Sequence, residues 1–313
     1  MNETIARPPE PDFSTITTEQ LITYREAENR VRSSIEARAI LGEPDPDAII
    51  EWRNIALPGR DLPVRVYRPV SAHVDASLPL IVHVHGGAFV GTATQCDWNS
   101  SLLAARLPAV VVSVEHRLIA PDSPIPNAAA DGWDVLEHVM QDAAEWGIDP
   151  ARTAVLGESF GGLISALTAI RARDTGLRLK AQVLVNPAVD MTETMHDYPS
   201  IVEYGYSPTR AAPLLRYLER IAVPAGVDAR AFSPRYADDL SELAPALVVV
   251  PTRDAIADHG RDYAERLRAA GTSVQLTEYP GAPHGFLSMP GLEPQAVDAH
   301  VEILDFLREA LAP

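Results

Sequence analysis

Several short runs of β-forming residues in this chain are apolar at every position. The runs AVVVSV (residues 109–114) and LVVV (residues 247–250) show no alternation of apolar and charged residues. A strand that is apolar on both faces is typical of a parallel sheet covered by helices on each side. The pattern therefore predicts an α/β fold with a mostly parallel, doubly wound sheet.

The β-rich runs alternate along the chain with helix-like stretches, as such a sheet requires. The predicted strands are VRVYRP, LPLIVHVH, AVVVSVEH, TAVLGE, AQVLVNP, ALVVVPT and VQLTEYP. The predicted helices lie near residues 126–146, 161–174, 259–270 and 293–311.

Two segments fall outside this alternation. Residues 18–41 predict a helix, because apolar residues recur every three or four positions, at Leu21, Tyr24, Ala27, Val31 and Ile35. Residues 190–225 make a long connection where a few residues would suffice, and such excursions usually carry function. Ligands bind these sheets beyond the carboxyl ends of the strands. We therefore expect a helical cap there, built from residues 1–45 and an insertion at about 190–225 within a catalytic domain that spans residues 46–313.

The charge and the cysteine content restrict the partners and the compartment. A formal net charge of −17 argues against binding to nucleic acid or to an anionic membrane. One cysteine, Cys96, excludes an internal disulfide framework and fits a reducing compartment. The N-terminus shows no apolar stretch of signal-peptide length, and no segment approaches the roughly 20 apolar residues of a membrane span. We therefore expect a cytoplasmic protein.

The segment VLGESFGG (residues 155–162) is the sharpest chemical motif. A predicted strand leads into Ser159, and a helical pattern follows it. This strand, G-x-S-x-G turn and helix place a serine hydroxyl on a tight, strained turn, and Gly157 and Gly161 keep side chains out of it. A strand-to-helix turn rich in small residues is the structural alternative. We predict that Ser159 is a nucleophile.

A serine nucleophile needs a general base, which a third group orients. The G-x-S-x-G turn predicts an acid and then a histidine further along the chain, each just after a C-terminal strand. Asp254 ends the run ALVVVPTRD, and His284 lies in a Gly/Pro loop after VQLTEYP. The predicted triad is therefore Ser159, Asp254 and His284.

Other candidates for these roles have settings that suggest structural duties. Asp258, the rival acid, precedes a helical pattern and fits an N-cap. Cys96 has a carboxylate beside it instead of a base, which disfavours a nucleophile. Three further histidines have no comparable setting and are expected at the surface, namely His196, His259 and His300.

The stretch IVHVHGGAF (residues 81–89) carries two histidines and two glycines. His83 and His85 would point to one side of a strand, but zinc needs three or four protein ligands and no nearby Cys, Asp or Glu completes the set. The glycines favour another interpretation, in which the loop Gly86-Gly87-Ala88 offers backbone N–H groups to an oxyanion. His85 is then a structural residue of that loop, and no metal is expected.

These motifs together resemble the bacterial hormone-sensitive-lipase-like (family IV) carboxylesterases, which have the α/β-hydrolase fold. The resemblance runs from about Val64 to the C-terminus, through VRVYRP, HGGAF, VVSVEHRLIAPDSPIPNAAAD, GESFGG, ALVVVPTRDAIADHGRDYAERLRAAG and YPGAPHGF. It implies the same triad, an oxyanion hole from the N–H groups of Gly87, Ala88 and Phe160, and a helical cap. It also implies a homodimer, because the family often forms dimers.

The chain departs from the family pattern near the nucleophile. The usual GDSAGG is GESFGG here, which places Glu158 and the bulky Phe160 beside Ser159, and the usual third glycine of the oxyanion loop is Ala88. Glu158 is expected to be structural, whereas the Phe160 ring is expected to alter substrate preference. One extra residue in the family's YRLAPE segment leaves the packing of residues 116–122 open.

The predicted reaction is hydrolysis of a small carboxylic ester, with a short to medium acyl chain, through an acyl-enzyme and without a cofactor. Hydrolysis of an amide, a formamide or a carbamate by the same groups is the alternative, because fold and triad do not determine the leaving group. A non-catalytic relative that binds a small ligand is a third possibility, disfavoured because all three triad residues are present.

Overall fold

The computed structural model describes residues 8–72, 77–206 and 211–313. Parts of the two predicted cap segments, residues 1–7 and 207–210, therefore lie outside the described residues.

The described residues form one eight-stranded sheet in the order β1-β2-β4-β3-β5-β6-β7-β8. Strands β3 to β8 are parallel, whereas β1 pairs with β2 and β2 with β4 in antiparallel register. The predicted α/β sheet, mostly parallel and doubly wound, is confirmed. The strands are β1 Ala48–Leu57, β2 Arg60–Pro69, β3 Leu78–Val84, β4 Val110–Val114, β5 Ile148–Glu158, β6 Ala181–Val185, β7 Ala246–Arg253 and β8 Val274–Pro283.

Helices connect the strands and cover the sheet. They are α1 Thr18–Arg32, α2 Arg38–Leu41, α3 Asp97–Arg106, α4 Ile125–Gln141, α5 Ala143–Trp146, α6 Phe160–Asp174, α7 Pro199–Tyr204, α8 Ala211–Ala222, α9 Ala257–Ala269 and α10 Gln295–Ala310. Every residue of β4 and of β6 is buried, as expected of strands that are covered on both faces. No helix in the described part of the chain has both the length and the apolar character to cross a bilayer.

The N-terminal helix is shorter than the sequence pattern predicts. Helix α1 ends at Arg32, and a separate short helix, α2, follows after a turn. Ile35 therefore lies outside α1 and does not extend its apolar face, and its relative exposure is 67%. Helix α1 is fixed to the loops that follow β3 and β4 by Arg25, which donates to the carbonyl oxygens of Phe89 at 2.7 Å and Ile119 at 2.5 Å.

Aromatic contacts join the two predicted cap segments to the loop after β3. The ring of Phe89 lies 5.9 Å from that of Phe13 in the N-terminal segment and 5.2 Å from that of Tyr217 in α8. Aromatic pairs at such separations add to the burial energy of the rings. Three distant parts of the chain therefore pack around one side chain.

The prediction that three histidines lie at the surface is wrong. His259 and His300 are buried, because they lie on the packed faces of α9 and α10. His259 Nδ1 accepts the N–H of Val189 at 3.2 Å. His196 is partly buried, with 12% of its side chain exposed, and its Nε2 lies 2.9 Å from a carboxylate oxygen of Glu219.

Candidate active site

Ser159 lies on a sharp turn between β5 and α6. Its backbone has φ 52° and ψ −115°, a region that residues other than glycine rarely adopt and that costs of order 1–3 kcal/mol. Its N–H donates to the Val185 carbonyl at 2.9 Å and its carbonyl accepts the Ala188 N–H at 3.1 Å, so the neighbouring strand end holds the turn in place. The strained turn that the motif predicts is present.

The two motif glycines allow this turn because backbone passes very close to them. A Cβ at Gly157 would lie 2.2 Å from the carbonyl oxygen of Gly161, and a Cβ at Gly161 would lie 2.1 Å from that of Val84. Contacts between heavy atoms at such distances are not tolerated. The glycines are therefore required by packing between β5, β3 and α6.

Ser159, His284 and Asp254 lie in hydrogen-bonded series, although they are far apart in the chain. His284 Nε2 lies 2.8 Å from Ser159 Oγ, and His284 Nδ1 lies 2.8 Å from Asp254 Oδ2. The other oxygen of Asp254 accepts the N–H of Ile256 at 3.0 Å. The Asp254 side chain is 2% exposed and that of His284 is 39% exposed. This is the geometry that a serine, a base and an orienting acid require.

Asp258 has separate partners. It lies in the first turn of α9, which begins at Ala257 with Ile256 as its N-cap residue, so the predicted N-cap position of Asp258 is wrong by two residues. Its carboxylate accepts the N–H of Ser200 at 2.8 Å and a hydrogen bond from Arg261 at 2.7 Å. These contacts tie α7 to α9, and they support a structural role for Asp258.

The charges around His284 favour its protonated form. Burial disfavours the imidazolium, but the Asp254 carboxylate outweighs that effect and raises the pKa of His284 above its usual value, with a smaller contribution from Glu158. An imidazole that gains basicity beside a buried carboxylate is suited to take a proton from the serine hydroxyl.

The raised pKa of His284 predicts where activity is lost in acid. Catalysis needs the neutral imidazole, so kcat/KM for an uncharged ester should fall as the pH drops through a midpoint above the ordinary histidine value of about 6.5. The measurement is a pH profile of kcat/KM, checked against the NMR titration of His284 in the Ser159→Ala chain. A midpoint at or below 6.5, or an NMR titration far from the kinetic one, would contradict this assignment.

The predicted oxyanion loop follows β3 and faces the same cavity as Ser159. Gly86, Gly87, Ala88 and Phe160 line this cavity together with Ser159 and His284. The loop is held from outside by the N–H of Ile119, which donates to the Ala88 carbonyl at 2.7 Å.

Gly87 is the position in this loop where glycine is most needed. Its φ is +113°, and a Cβ there would lie 1.7 Å from the carbonyl oxygen of Val90. A side chain at Gly87 would therefore displace the backbone whose N–H groups are predicted to bind the oxyanion.

Gly87→Ala should lower kcat by about 10²- to 10³-fold, the effect of losing one oxyanion donor. The measurement is kcat on p-nitrophenyl butyrate for both Gly87→Ala and Gly59→Ala. Gly59 is a matched control because it also has a positive φ of +79° but lies in the β1–β2 turn with nothing within 4 Å of its Cβ position. Equal kcat values for the two variants would remove the loop from the mechanism.

Two histidines and Phe160 stack behind the oxyanion loop. The rings of His85 and His116 lie 4.3 Å apart, and the ring of Phe160 lies 5.7 Å from that of His116. Burial lowers the pKa of His85 to about 4 and that of His116 to about 3, so both rings are neutral at neutral pH. His85 Nδ1 lies 3.0 Å from the Gly86 carbonyl oxygen. The Phe160 side chain is 2% exposed and packs in the core, with little of it left to contact an acyl chain.

Sequence reasoning missed two residues of this region. His116 lies in the segment whose packing was left open, and that segment is fixed by Arg117, which donates to Asp131 at 2.8 Å. Ser288, in the loop after His284, donates to Glu158 Oε2 at 2.8 Å. The family segment around His116 was a signal for the first residue, whereas no local pattern marks the second.

The cavity above Ser159 is large and mostly apolar. Its volume is about 530 Å³, and its walls come from the N-terminal segment, helix α8 and the sheet edge. Apolar wall residues include Phe13, Tyr24, Leu214, Leu215 and Leu218. Residues of both predicted cap segments therefore enclose the space beside the nucleophile.

Comparison with known proteins agrees with this architecture. Residues 81–288 match the family model described as "alpha/beta hydrolase fold". The chain is 35% identical to the carboxylesterase NlhH of Mycobacterium tuberculosis, with 98% of each chain covered. It is 32% identical to the ethyl acetate hydrolase of Pseudomonas putida, with 91% of each covered. The thermostable carboxylesterase EstE1, from a metagenomic library, has a TM-score of 0.85 and 31% identity over 95% of this chain and 99% of that one.

Fold, site geometry and these similarities define the class of protein: the chain is an α/β hydrolase. Within that class it belongs to the hormone-sensitive-lipase-like carboxylesterases, as its linked motifs predict.

Proposed function

We propose that this chain is a serine carboxylesterase that hydrolyses esters of short to medium acyl chain through an acyl-enzyme. Membership of the family makes it a carboxylic ester hydrolase. The observation that carries the mechanism is the separation of 2.8 Å between His284 Nε2 and Ser159 Oγ.

The proposed reaction has two similar halves. His284 takes the proton of Ser159 as the serine oxygen attacks the ester carbonyl, and then gives that proton to the departing alcohol. Asp254 holds the imidazole in the required orientation and stabilises its cation. The oxyanion is stabilised by the N–H groups of Gly87, Ala88 and Phe160, with Gly86 shaping the loop. Water then attacks the acyl-enzyme by the same route and releases the acid.

The cavity supports a small, apolar substrate. A volume of about 530 Å³ is within the usual range for small-ligand pockets. One relative is named for a small ester, the ethyl acetate hydrolase of Pseudomonas putida. We propose that residues 1–45 and about 190–225 together form the cap that sets the upper limit on the acyl chain.

Reaction with an amide, a formamide or a carbamate is the second candidate, since the same groups serve any acyl transfer. An ester is favoured because the chain's relatives are named as esterases. A role limited to ligand binding is disfavoured by the hydrogen-bonded series of Ser159, His284 and Asp254.

The test is a substrate panel combined with covalent trapping. Acyl length and leaving group are varied independently over esters and the matching amides, and a phosphonate trap followed by peptide mapping identifies the labelled residue. We expect label on Ser159 and highest kcat/KM on short to medium esters. Label elsewhere would refute the nucleophile, and faster turnover of amides than of the matching esters would refute the ester assignment.

A cytoplasmic location and a homodimer also remain proposals. The single cysteine of the chain supports the first. The frequent dimers of the resembling family support the second.

A further inference from the structure

A cluster of three metal-binding side chains lies behind the nucleophile and has no part in the mechanism above. His83 on β3, Cys96 just before α3, and Glu158 at the end of β5 place their ligand atoms within 4.8 Å of one another. No Cys, Asp or Glu lies near His83 in the sequence, which disfavours a metal there. The fold corrects this expectation, because it brings Cys96 and Glu158 to His83 from other segments.

Two buried polar atoms of this cluster have no hydrogen-bond partner within the described residues. Within the described residues, neither His83 Nε2 nor Glu158 Oε1 has a hydrogen-bond partner, although both side chains are almost wholly buried, at 0% and 2% exposure. Buried polar atoms are normally paired, so two unpaired atoms side by side call for an occupant that accepts lone pairs.

His83 is prepared for the role of ligand. Its Nδ1 lies 2.8 Å from Ser113 Oγ, and an imidazole whose Nδ1–H donates to such a partner presents the lone pair of Nε2 to a metal. Burial lowers the pKa of His83 to about 3, so the ring is neutral at neutral pH and one of its two nitrogens carries a lone pair. Metal-binding histidines have this arrangement.

We propose that His83 Nε2, the Cys96 thiolate and the Glu158 carboxylate form a buried site for a divalent transition metal ion of borderline softness, such as zinc. One nitrogen, one sulfur and one oxygen donor suit zinc better than magnesium or calcium, which prefer oxygen alone. The two anionic ligands balance the charge of a divalent ion in a buried setting.

The dimensions fit a tetrahedral ion after a small contraction. Ligand distances of about 2.0–2.3 Å put the ligand atoms of a zinc site roughly 3.5 Å apart. Since all three atoms lie within 4.8 Å of one another, no pair has to close by more than roughly 1.3 Å. Ser288 is positioned for the fourth place, because its Oγ lies 2.8 Å from Glu158 Oε2 and 3.8 Å from Cys96 Sγ. Glu158 and Ser288 also line the cavity above Ser159, which supplies a route for the ion.

Binding of the ion displaces protons. Burial raises the pKa of the Cys96 thiol well above its usual value and that of Glu158 to about 7. The ion replaces the thiol proton and any proton on the carboxylate, so affinity weakens as the pH falls.

The test is a titration of the untagged protein with Co²⁺ and then Zn²⁺. The ultraviolet and visible absorption spectrum is recorded at each addition. Cobalt bound to a thiolate gives a near-ultraviolet charge-transfer band, and since the chain has a single cysteine this band reports on Cys96 alone. We expect one ion per chain, the band in the native protein, its loss in Cys96→Ser, and affinity at least about tenfold weaker in His83→Gln. Zinc should also raise the Tm of the native protein and leave that of Cys96→Ser unchanged.

The matched control is His138→Gln. His138, in the last turn of α4, lies 3.6 Å from Asp142, the residue that caps this helix. This partly exposed pair is able to hold zinc away from the cluster, and the variant should keep the band. Cys96→Ala replaces Cys96→Ser if the latter misfolds. Absence of the band, or equal zinc binding by the native, Cys96→Ser and His83→Gln chains, would overturn the proposal. The same titration of Ser159→Ala separates this site from the catalytic proposal, because binding should survive when hydrolysis is lost.

Discussion

Ser159→Ala should lower kcat on p-nitrophenyl acetate and butyrate by about 10⁴- to 10⁶-fold, the loss that follows removal of the nucleophile in enzymes of this mechanism. The physical reason is that Oγ is the atom hydrogen-bonded to His284 Nε2 at 2.8 Å, and no other hydroxyl shares that contact among the described residues. Turnover is measured by release of p-nitrophenol.

The fold should survive this substitution, because the strained backbone of Ser159 is held by its own N–H and carbonyl contacts and by the flanking glycines. Circular dichroism and Tm provide the control. Turnover within tenfold of the native value, in a folded variant, would show that a different nucleophile performs the reaction.

Asp254→Asn should lower kcat by about 10⁴-fold and preserve binding of substrate. The amide keeps the volume of the carboxylate, but its NH₂ group faces His284 Nδ1, which favours the wrong tautomer, and the charge that stabilises the imidazolium is gone. Asp254 is nearly inaccessible to solvent, so water offers little screening of this loss.

Asp258→Asn provides the matched comparison, because it makes the same chemical change four residues away. Asp258 contacts Ser200 and Arg261, so its substitution should lower Tm and change kcat by less than about tenfold. The opposite order of effects on kcat would reassign the acid to Asp258.

The central sheet was predictable because a strand that is buried on both faces has apolar residues at successive positions. Strand β4 is a run of valines interrupted only by Ser113, and β7 contains the run LVVV (residues 247–250). Short runs of this kind, rich in β-branched residues, favour strands that are buried on both faces. The proximity of Ser159, Asp254 and His284 was predictable for a related reason, since each follows a strand and the carboxyl ends of parallel strands lie at one edge of the sheet.

Helix α3 shows where local patterns fail. The predicted helices do not include this one. Its residues Asn99, Ser100 and Ser101 are polar, yet all three are buried. Asn99 is paired with His300 of α10, at 2.7 Å between Oδ1 and Nδ1, so a partner 201 positions away permits its burial. The same contact explains why His300 was wrongly expected at the surface. When a polar residue is buried with a hydrogen-bond partner far away in the chain, its neighbours in the sequence do not indicate that it is buried.

The cluster of His83, Cys96 and Glu158 was hidden for the same reason. Alternation along β3 suggests only the pair His83 and His85, whereas the fold separates them: His85 stacks on His116, and His83 faces two residues from other segments. A pattern of neighbouring residues in the sequence does not indicate which distant side chains the fold brings together.

The guanidinium of Arg25 connects the N-terminal helix to the predicted oxyanion loop. It donates to the carbonyl oxygen of Phe89, at the end of the glycine loop, and to that of Ile119. The N–H of Ile119 donates in turn to the carbonyl oxygen of Ala88 in the same loop. One side chain of helix α1 therefore contacts both segments that carry the predicted oxyanion loop. We expect a substitution of Arg25 to change the position of that loop as well as the attachment of the N-terminal helix.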